Sequence, residues 1–403
     1  MSVPIVELAK VCRMDRQTTS AVDAISRGLA FVGMEHVDPD TGRIAVGNGS
    51  RTGEGKGQAF LFDDRHILFG KLRPYLRKIA IPQAKGCSST ELVPLLPDST
   101  RLDRAYLFHW VRRNQVIDIL MAKNTGARMP RADMSVLLGM DIPLPPLDEQ
   151  RRIVGLLDRA AEIRRRADAA RAKARAIIPA LFLDTFGDPA TNLKGWPVVT
   201  VGDLLESAAY GTSQKANDRG DGIPMIRMGN VTTGGQLDTT DLKHIDIADQ
   251  EREKAELLDG DLLFNRTNSK ELVGKTGLWD GRFEAVAASY FIRLRVKRDL
   301  SSPSYLWAFF NTRFMKRALF DTARGAIGQA NINAKELRAF RVAAPPIPLQ
   351  TAFAKQVHRL ELLARHLDAA AVKAEAMAAG LSAEVFGQPP QKGNGHAGAQ
   401  AGQ

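Results

Sequence analysis

Two stretches of the chain carry apolar residues at alternating spacings of three and four, the pattern of a helix with one buried stripe. The first stripe consists of Ile153, Leu156, Ala160, Ile163, Ala167, Ala170, Ala174, Ile177 and Leu181. The second consists of Phe353, Val357, Leu360, Ala364, Leu367, Ala371, Ala374, Ala378 and Leu381. Alanine at many of these positions favours close packing between helices. The pattern therefore predicts two long helices that form a coiled coil.

Prolines mark where each long helix begins. The sequence IPLPPL at 142–147 precedes the first helix, and PPIP at 345–348 precedes the second. Asp148 is predicted to cap a helix that starts at Glu149. Pro179 is predicted to kink or end that helix, because proline removes a backbone donor and clashes with the preceding turn. The predicted helix of about 30 residues would then be roughly 45 Å long.

The chain repeats itself with a period close to the length of one domain plus one helix. The sequence FGDP at 186–189 recurs as FGQP at 386–389, and PPL at 145–147 recurs as PPI at 345–347. Each half is therefore predicted to contain a variable globular region followed by a long helix.

The globular regions carry short β-like runs and helical patterns, which predicts an α+β fold class with two tandem α/β-type domains. Antiparallel pairing of the helices would separate the two domains and give pseudo-twofold symmetry. In the alternative, each helix packs only on its own domain. The predicted domains are residues 1–142, a helical spacer at 143–190, residues 191–343, a second spacer at 344–388 and a disordered tail at 389–403.

Charge favours a polyanionic partner. Lysine and arginine number 56 against 45 acidic residues, which gives a net charge of +11, and the isoelectric point is near 9.7. Nucleic acid is favoured over a membrane surface. Cys12 and Cys87 form no zinc or disulfide motif, and no apolar run is long enough for a membrane span, so we expect a cytoplasmic protein.

The motifs of catalysis are incomplete. Gly274-Lys275-Thr276 resembles the end of a phosphate-binding loop, but Ser269 replaces its first glycine. Pro39-Asp40 followed by Glu54-Gly55-Lys56 imitates a metal-dependent nuclease motif. We therefore predict no catalytic residue, no metal and no cofactor bound by this chain. A stand-alone restriction endonuclease and a coiled-coil scaffold without DNA affinity remain the alternatives to a DNA-binding protein without a catalytic centre.

Cations and amides cluster in four segments that are predicted to bind DNA. Residues 70–78 interleave four cations with a tyrosine, and residues 265–275 are their counterpart in the second half. Segments 125–131 and 324–331 also occupy matching places. All could equally be exposed turns. The candidates for phosphate and base contacts are Lys71, Arg73, Tyr75, Arg77, Lys78, Arg128, Arg131, Arg266, Asn268, Lys270, Lys275 and Asn331.

The duplicated motifs resemble those of a known family. The string PLPPLDEQRRIV at 143–154 and the later FGDP, both echoed 200 residues on, resemble type I restriction specificity subunits. This resemblance covers nearly all of the chain up to Pro389. It implies two target recognition domains that each bind one half of a bipartite site in double-stranded DNA, and it leaves the DNA sequence itself undetermined.

The resemblance also implies partners. They would be two methyltransferase subunits that use S-adenosylmethionine and, for restriction, translocase-nuclease subunits that use ATP and Mg²⁺. The helices would dock the methyltransferase subunits, with candidate docking residues Glu149, Gln150, Ile153, Gln350 and Phe353. The second repeat departs from the pattern because it lacks the Asp-Glu pair, so docking could differ between the halves.

Overall fold

The computed structural model describes residues 3–45, 57–122, 129–217, 220–326 and 329–387, with the backbone alone at 324–326 and 329. The chain divides into two units, one with residues up to 166 and from 370 onward, the other with residues 167–369. The predicted tail, 389–403, lies outside the described residues. The predicted domain boundaries stay predictions, and the observed division falls within each long helix.

The first unit combines short strands with four short helices. Its described strands are β1 (Ile5–Glu7), β2 (Cys12–Met14), β3 (Thr18–Ser20), β4 (Ala30–Val32), β5 (Gln58–Phe62), β6 (Ile67–Gly70), β7 (Ile79–Ala80), β8 (Gly86–Ser89), β9 (Leu92–Pro97) and β10 (Asp141–Pro143). The helices are α1 (Ala21–Ser26), α2 (Arg104–Val111), α3 (Asn114–Ala122) and α4 (Met134–Leu138), with 3-10 turns at Leu8–Lys10, Met34–His36 and Pro74–Leu76. The first long helix, α5, is Leu147–Phe186.

Three sheets organise this unit, with strand orders β2-β9-β6-β7, β3-β5-β8-β4 and β1-β10. Strand β6 is buried throughout, so its apolar run packs on both faces. Tyr106 and Trp110 of α2 are fully buried in the same core. Asp103 caps α2 by accepting hydrogen bonds from the backbone N–H groups of Ala105 and Tyr106.

The second unit repeats this composition. Its described strands are β11 (Val198–Thr200), β12 (Leu205–Tyr210), β13 (Ile223–Ile226), β14 (Lys243–Ile245), β15 (Leu262–Asn265), β16 (Thr267–Asn268), β17 (Thr276–Leu278), β18 (Val286–Ala287), β19 (Phe291–Val296), β20 (Arg324–Ala326), β21 (Gln329–Asn331) and β22 (Arg341–Ala343). The helices are α6 (Asp249–Ala255), α7 (Pro303–Phe310), α8 (Arg313–Thr322), α9 (Ala334–Ala339) and the second long helix α10 (Ile347–Phe386), with 3-10 turns at Val201–Leu204 and Met228–Asn230.

The sheets of the two units follow one plan. The order β12-β19-β15-β17 matches β2-β9-β6-β7, and the pair β11-β22 matches β1-β10. A parallel pair, β13 with β18, matches β4 with β8. Tyr106 and Tyr305 occupy equivalent places, since their hydroxyls donate to the backbone oxygens of Pro143 and Ala343. The predicted α+β class and the internal repeat are confirmed.

The long helices pair antiparallel within each unit. In the first unit, Arg164 of α5 forms an ion pair with Glu375 of α10. In the second unit, Arg171 of α5 pairs with Asp368, further back along α10. Within the second unit, the ring centre of Phe182, later on α5, lies 6.0 Å from that of Phe353, which is earlier on α10 than Asp368. Within the first unit, Ile153, earlier on α5, shares a core with Phe386 at the end of α10. The predicted antiparallel pairing is therefore confirmed in each unit. The pseudo-twofold relation between the units stays a prediction.

The predicted buried stripe is right for α10 and partly wrong for α5. Every predicted position on α10 is buried or half-buried. On α5, Leu156, Ile163 and Ile177 are 37 to 49% exposed, whereas Leu157 and Ile178 are buried instead. The buried stripe of α5 therefore lies one residue away from the larger side chains chosen from the sequence.

The first long helix also runs further than predicted. It begins at Leu147 and continues for 40 residues, through Pro179. Beyond Pro179, Phe182 and Phe186 are 1% and 4% exposed in the core of the second unit. Burial of these two rings offsets the helix bond that proline removes. No helix among the described residues is long and apolar enough to span a membrane.

Pro179→Ala is expected to raise the free energy of unfolding by about 1 to 3 kcal/mol, because alanine restores the helix donor and Pro179 is exposed. Chemical denaturation of the full chain measures the change. Lys173→Ala, also exposed on α5, is the control and should change stability little. A stability loss in Pro179→Ala would show instead that the proline geometry is needed to seat Phe182 and Phe186.

Candidate nucleic-acid interface

A backbone clamp fixes the first predicted DNA-binding segment. The N–H of Lys71 donates to the oxygen of Glu91 at 2.9 Å, and the N–H of Ala132 donates to the oxygen of Lys71 at 2.7 Å. The N–H of Arg73 donates to the oxygen of Pro130 at 2.7 Å, and Leu72 pairs with Arg131 in an antiparallel bridge. The structure therefore brings the loop at 70–78 and the segment around Arg131 together.

The second unit contains the same clamp. The N–H of Arg266 donates to the oxygen of Tyr290 at 2.9 Å, and the N–H of Ile332 donates to the oxygen of Arg266 at 3.0 Å. Thr267 pairs with Asn331 in the short sheet of β16, β21 and β20. By these bonds Lys71 corresponds to Arg266, and Arg131 corresponds to Asn331. Two matching backbone frames thus carry different side chains.

The loop in the first unit presents cations and an aromatic ring to solvent. Arg73 is exposed, and Tyr75 is 50% exposed. Arg73 and Arg77 flank the Pro74–Leu76 turn with φ of 50° and 49°, the left-handed region that residues other than glycine rarely adopt. Such backbone outliers cluster at functional sites. Arg73 and Tyr75 therefore stay the strongest predicted DNA contacts of this loop.

Two neighbouring arginines have partners in the protein. Arg131 forms an ion pair with Glu91 at 3.2 Å, with half of its side chain exposed. An exposed pair contributes little stability, so a phosphate could replace the carboxylate. Arg77 donates a hydrogen bond to the side-chain oxygen of Asn114. Arg128 lies outside the described residues.

Two predicted DNA-binding lysines donate hydrogen bonds to backbone carbonyl groups. Lys78 donates from Nζ to the backbone oxygen of Val37 at 2.6 Å. Lys275 donates to the oxygens of Met228 and Val231 at 3.0 and 2.7 Å, and burial lowers its pKa. Both ammonium groups attach a 3-10 turn to the neighbouring strand. Contact between these lysines and DNA stays a prediction, since an ammonium group has three donors and these bonds use one in Lys78 and two in Lys275.

The remaining candidates of the second unit differ in how free their side chains are. Asn268 donates to Asn265 Oδ1 at 3.1 Å and accepts from the Ser269 N–H at 2.9 Å, so its amide is engaged locally. Its contact with a base stays a prediction. Lys270 is exposed, with Nζ 4.5 Å from the ring centre of Phe320. Asn331 is exposed and accepts a hydrogen bond from Thr267.

The sequence-based selection missed Tyr210. Its ring lies under the guanidinium of Arg266, with 4.7 Å from Arg266 Cζ to the ring centre. Tyr210 is 46% exposed at the end of β12, and Tyr290 is 44% exposed beside the clamp. No local sequence signal links Tyr210 to Arg266, because β12 reaches this site only through its pairing with β19.

Most of the predicted docking residues lie inside the protein. Gln150 and Gln350 are 0% exposed, and Ile153 and Phe353 are 1% exposed. Each glutamine connects a long helix to the start of a core helix, since its Oε1 accepts the N–H of Asp103 or Ser302 at 2.8 Å. Direct docking through these four side chains is therefore not supported.

Glu149 alone among those five candidates is on the surface, where it pairs with Arg152 at 2.7 Å. Its side chain is 40% exposed. Docking through Glu149 stays a prediction.

Among the described residues, no group of three or more His, Cys, Asp or Glu side chains is placed to hold a metal ion. Of the nuclease-like motif, Glu54 and Lys56 lie outside the described residues. Asp40 lies in an exposed turn, where its N–H donates to the Asp38 carboxylate at 3.0 Å.

Comparison with known proteins places these features in a family. Residues 193–369 match the family described as type I restriction modification DNA specificity domain. The chain is 25% identical over 292 residues to the EcoKI type I restriction enzyme specificity subunit of Escherichia coli K12. That match covers 68% of this chain and 62% of the relative, which is less than two thirds of the relative's length.

A second relative and a solved structure agree with this assignment. The EcoDI specificity subunit of Escherichia coli is 31% identical over 88 residues, which cover 22% of this chain and 19% of the relative. The type I restriction-modification S subunit from M. genitalium has the same fold, with a TM-score of 0.61 at 13% identity and 96% coverage of each chain. Residues 193–369 therefore carry a type I restriction modification DNA specificity domain, and the chain is similar to type I restriction enzyme specificity subunits.

Proposed function

We propose that this chain is the sequence-specific DNA-binding subunit of a type I restriction–modification complex, in which each unit contacts one half of a bipartite DNA site. The repeated backbone clamp is the observation that carries the proposal. It holds Lys71 and Arg131 in one unit and Arg266 and Asn331 in the other. Because the two backbone clamps match, each unit would contact the DNA backbone in a similar way. Because their side chains differ, the two units would prefer different bases.

Charge supports the same function. The net charge of +11 attracts the phosphate backbone, and release of counterions gives an affinity that falls steeply with salt. Arg73, Lys270 and the Arg131 ion pair are exposed cations that can supply such contacts.

The rest of the complex is inferred from the similarity to type I specificity subunits. The partners are two methyltransferase subunits and, for restriction, translocase-nuclease subunits. S-adenosylmethionine, ATP and Mg²⁺ belong to those partners, and this chain contributes specificity without a catalytic step. We place the complex in the cytoplasm. The match to a DNA specificity domain and the similarity to specificity subunits favour this function over a stand-alone nuclease or a scaffold.

The experiment is expression of the chain with a methyltransferase subunit, followed by genome-wide mapping of N6-methyladenine. We expect a gapped motif with two different halves. Exchange of residues 1–140 for those of another specificity subunit should change one half alone, and exchange of residues 195–340 should change the other. The spacing should stay constant in both chimaeras, because the long helices are unchanged.

Three results would contradict the proposal. A stable complex that methylates no defined motif would indicate a scaffold. DNA cleavage by the purified chain with Mg²⁺ alone would indicate a nuclease. Binding that does not weaken between low and high salt would exclude phosphate contacts as the main source of affinity.

A further inference from the structure

The backbone of Arg266 is fixed on both sides. Its N–H donates to Tyr290, and its oxygen accepts from Ile332. The preceding residue, Asn265, is 0% exposed, and its N–H donates to the oxygen of Lys275 at 2.8 Å. The Cα of Arg266 therefore has little freedom to move, and its side chain starts from a defined place on the surface.

The side chain is oriented by an aromatic platform. Arg266 Cζ lies 4.7 Å from the ring centre of Tyr210. The Tyr210 hydroxyl accepts a hydrogen bond from the N–H of Ala334 at 3.4 Å, which anchors the ring at the start of α9. A guanidinium above a tyrosine ring is attracted by the ring's negative face. Tyr210 thus restricts the rotamers of Arg266 before any ligand arrives.

The donors of Arg266 are not used by the described part of the protein. Its Nε is buried without a hydrogen-bond partner, and neither Nη donates a hydrogen bond among the described residues. Nearby arginines differ. Arg295 donates to Asp261 at 3.0 Å, and Arg293 lies 3.9 Å from the same buried carboxylate. Arg266 has a fixed place and orientation without such a neutralising partner.

A guanidinium of this kind matches one base. Its parallel N–H donors fit the O6 and N7 acceptors that guanine presents in the major groove, and such bidentate pairs discriminate strongly against other bases. A phosphate needs only positive charge, which a mobile lysine supplies without a platform. The equivalent position in the first unit is Lys71, so the two clamps differ in this chemistry.

We propose that Arg266 recognises a guanine in the half-site contacted by residues 167–369, with Tyr210 as the positioning residue. This inference rests on the proposed DNA-binding function. It assigns one base of an otherwise undetermined site and predicts that this base does not depend on the first unit.

The experiment compares methylation motifs from Arg266→Ala, Arg266→Lys, Tyr210→Ala and Tyr210→Phe chains, each expressed with the methyltransferase subunit. Arg266→Ala should relax one guanine position, with a loss of discrimination of about 10-fold to 100-fold. Arg266→Lys should relax the same position, because an ammonium cannot form the two parallel bonds. Tyr210→Ala should reduce discrimination there about 3-fold, and Tyr210→Phe, which keeps the ring but loses the hydrogen bond from the Ala334 N–H, should have a smaller effect.

Arg317→Ala is the matched control. Arg317 is an exposed arginine near the ring of Phe320, but it pairs with Asp321 at 3.0 Å. Its removal should leave the motif unchanged. Thermal unfolding of each complex separates loss of contact from loss of fold.

Two results would overturn the inference while the proposed function stands. An unchanged motif in Arg266→Ala would show that Arg266 recognises no base. Weaker methylation at every position, restored by Arg266→Lys, would identify a phosphate contact. A wild-type complex without a bipartite motif would instead refute the proposed function itself.

Discussion

Phe182→Ala should lower the free energy of unfolding of the 167–369 unit by about 3 to 5 kcal/mol. Phe182 is 1% exposed and lies at the meeting point of both long helices with the core. Its ring centre lies 5.1 Å from Phe186, 5.6 Å from Tyr305 and 6.0 Å from Phe353. Truncation removes all three ring contacts and leaves a cavity that this rigid cluster cannot close.

Tryptophan placement allows this loss to be measured in one unit. Three of the four tryptophans, Trp196, Trp279 and Trp307, lie within residues 167–369. In a Trp110→Phe background, intrinsic fluorescence during urea denaturation therefore follows that unit alone. Leu183→Ala is the control, because Leu183 is the next residue and is 48% exposed. Equal losses in both variants would contradict the packing role of Phe182.

The long helices could be predicted from sequence, but their contact faces only in part. Proline pairs and the three-and-four spacing marked both helices. The predicted buried face of α10 was right because the large apolar residues Phe353 and Val357 lie on it. On α5, the large residues Leu156 and Ile163 follow an outer stripe at seven-residue spacing, while the inner stripe contains Ala167 and other small residues. The size of an apolar side chain is therefore a poor guide to its burial where close packing between helices requires alanine.

The candidate interface shows a different limit. Composition located the loops at 70–78 and 265–275. The structure places each loop in the backbone clamp of its own unit, and the two clamps match. Composition did not show that the ammonium groups of Lys78 and Lys275 bind backbone carbonyl groups, because the residue type alone does not reveal which acceptors lie within reach. Nor did it align the clamps, since Lys71 and Arg266 are 195 residues apart whereas Ala132 and Ile332 are 200 apart. Backbone pairing had to supply that correspondence.

The proline-glutamine motif, PPLDEQ at 145–150 and PPIPLQ at 345–350, has a structural explanation. Gln350 Nε2 donates to the oxygen of Pro345 at 2.7 Å, and Oε1 accepts from the Ser301 hydroxyl at 3.1 Å and from the Ser302 N–H at 2.8 Å. In the first unit, Gln150 Nε2 donates to the oxygens of Pro145 and Arg101, and Oε1 accepts from the Asp103 N–H. The glutamine thus joins the proline turn, the long helix and the start of a core helix.

Gln350→Ala should lower the free energy of unfolding of the 167–369 unit by about 3 to 5 kcal/mol, because each buried polar group left without a partner costs about 1 to 3 kcal/mol. The groups concerned are the Pro345 oxygen, the Ser301 hydroxyl and the Ser302 N–H. Hydrogen exchange followed by mass spectrometry should show faster exchange at the start of α7.

Two comparisons make this test specific. Gln356→Ala removes an exposed glutamine from the same helix and should change neither stability nor exchange. Gln150→Ala should accelerate exchange at the start of α2 while the start of α7 stays protected, because the two glutamines belong to different units. If Gln350→Ala left exchange at α7 unchanged, the motif would not be the link between the long helix and the core, and its duplication would need another physical cause.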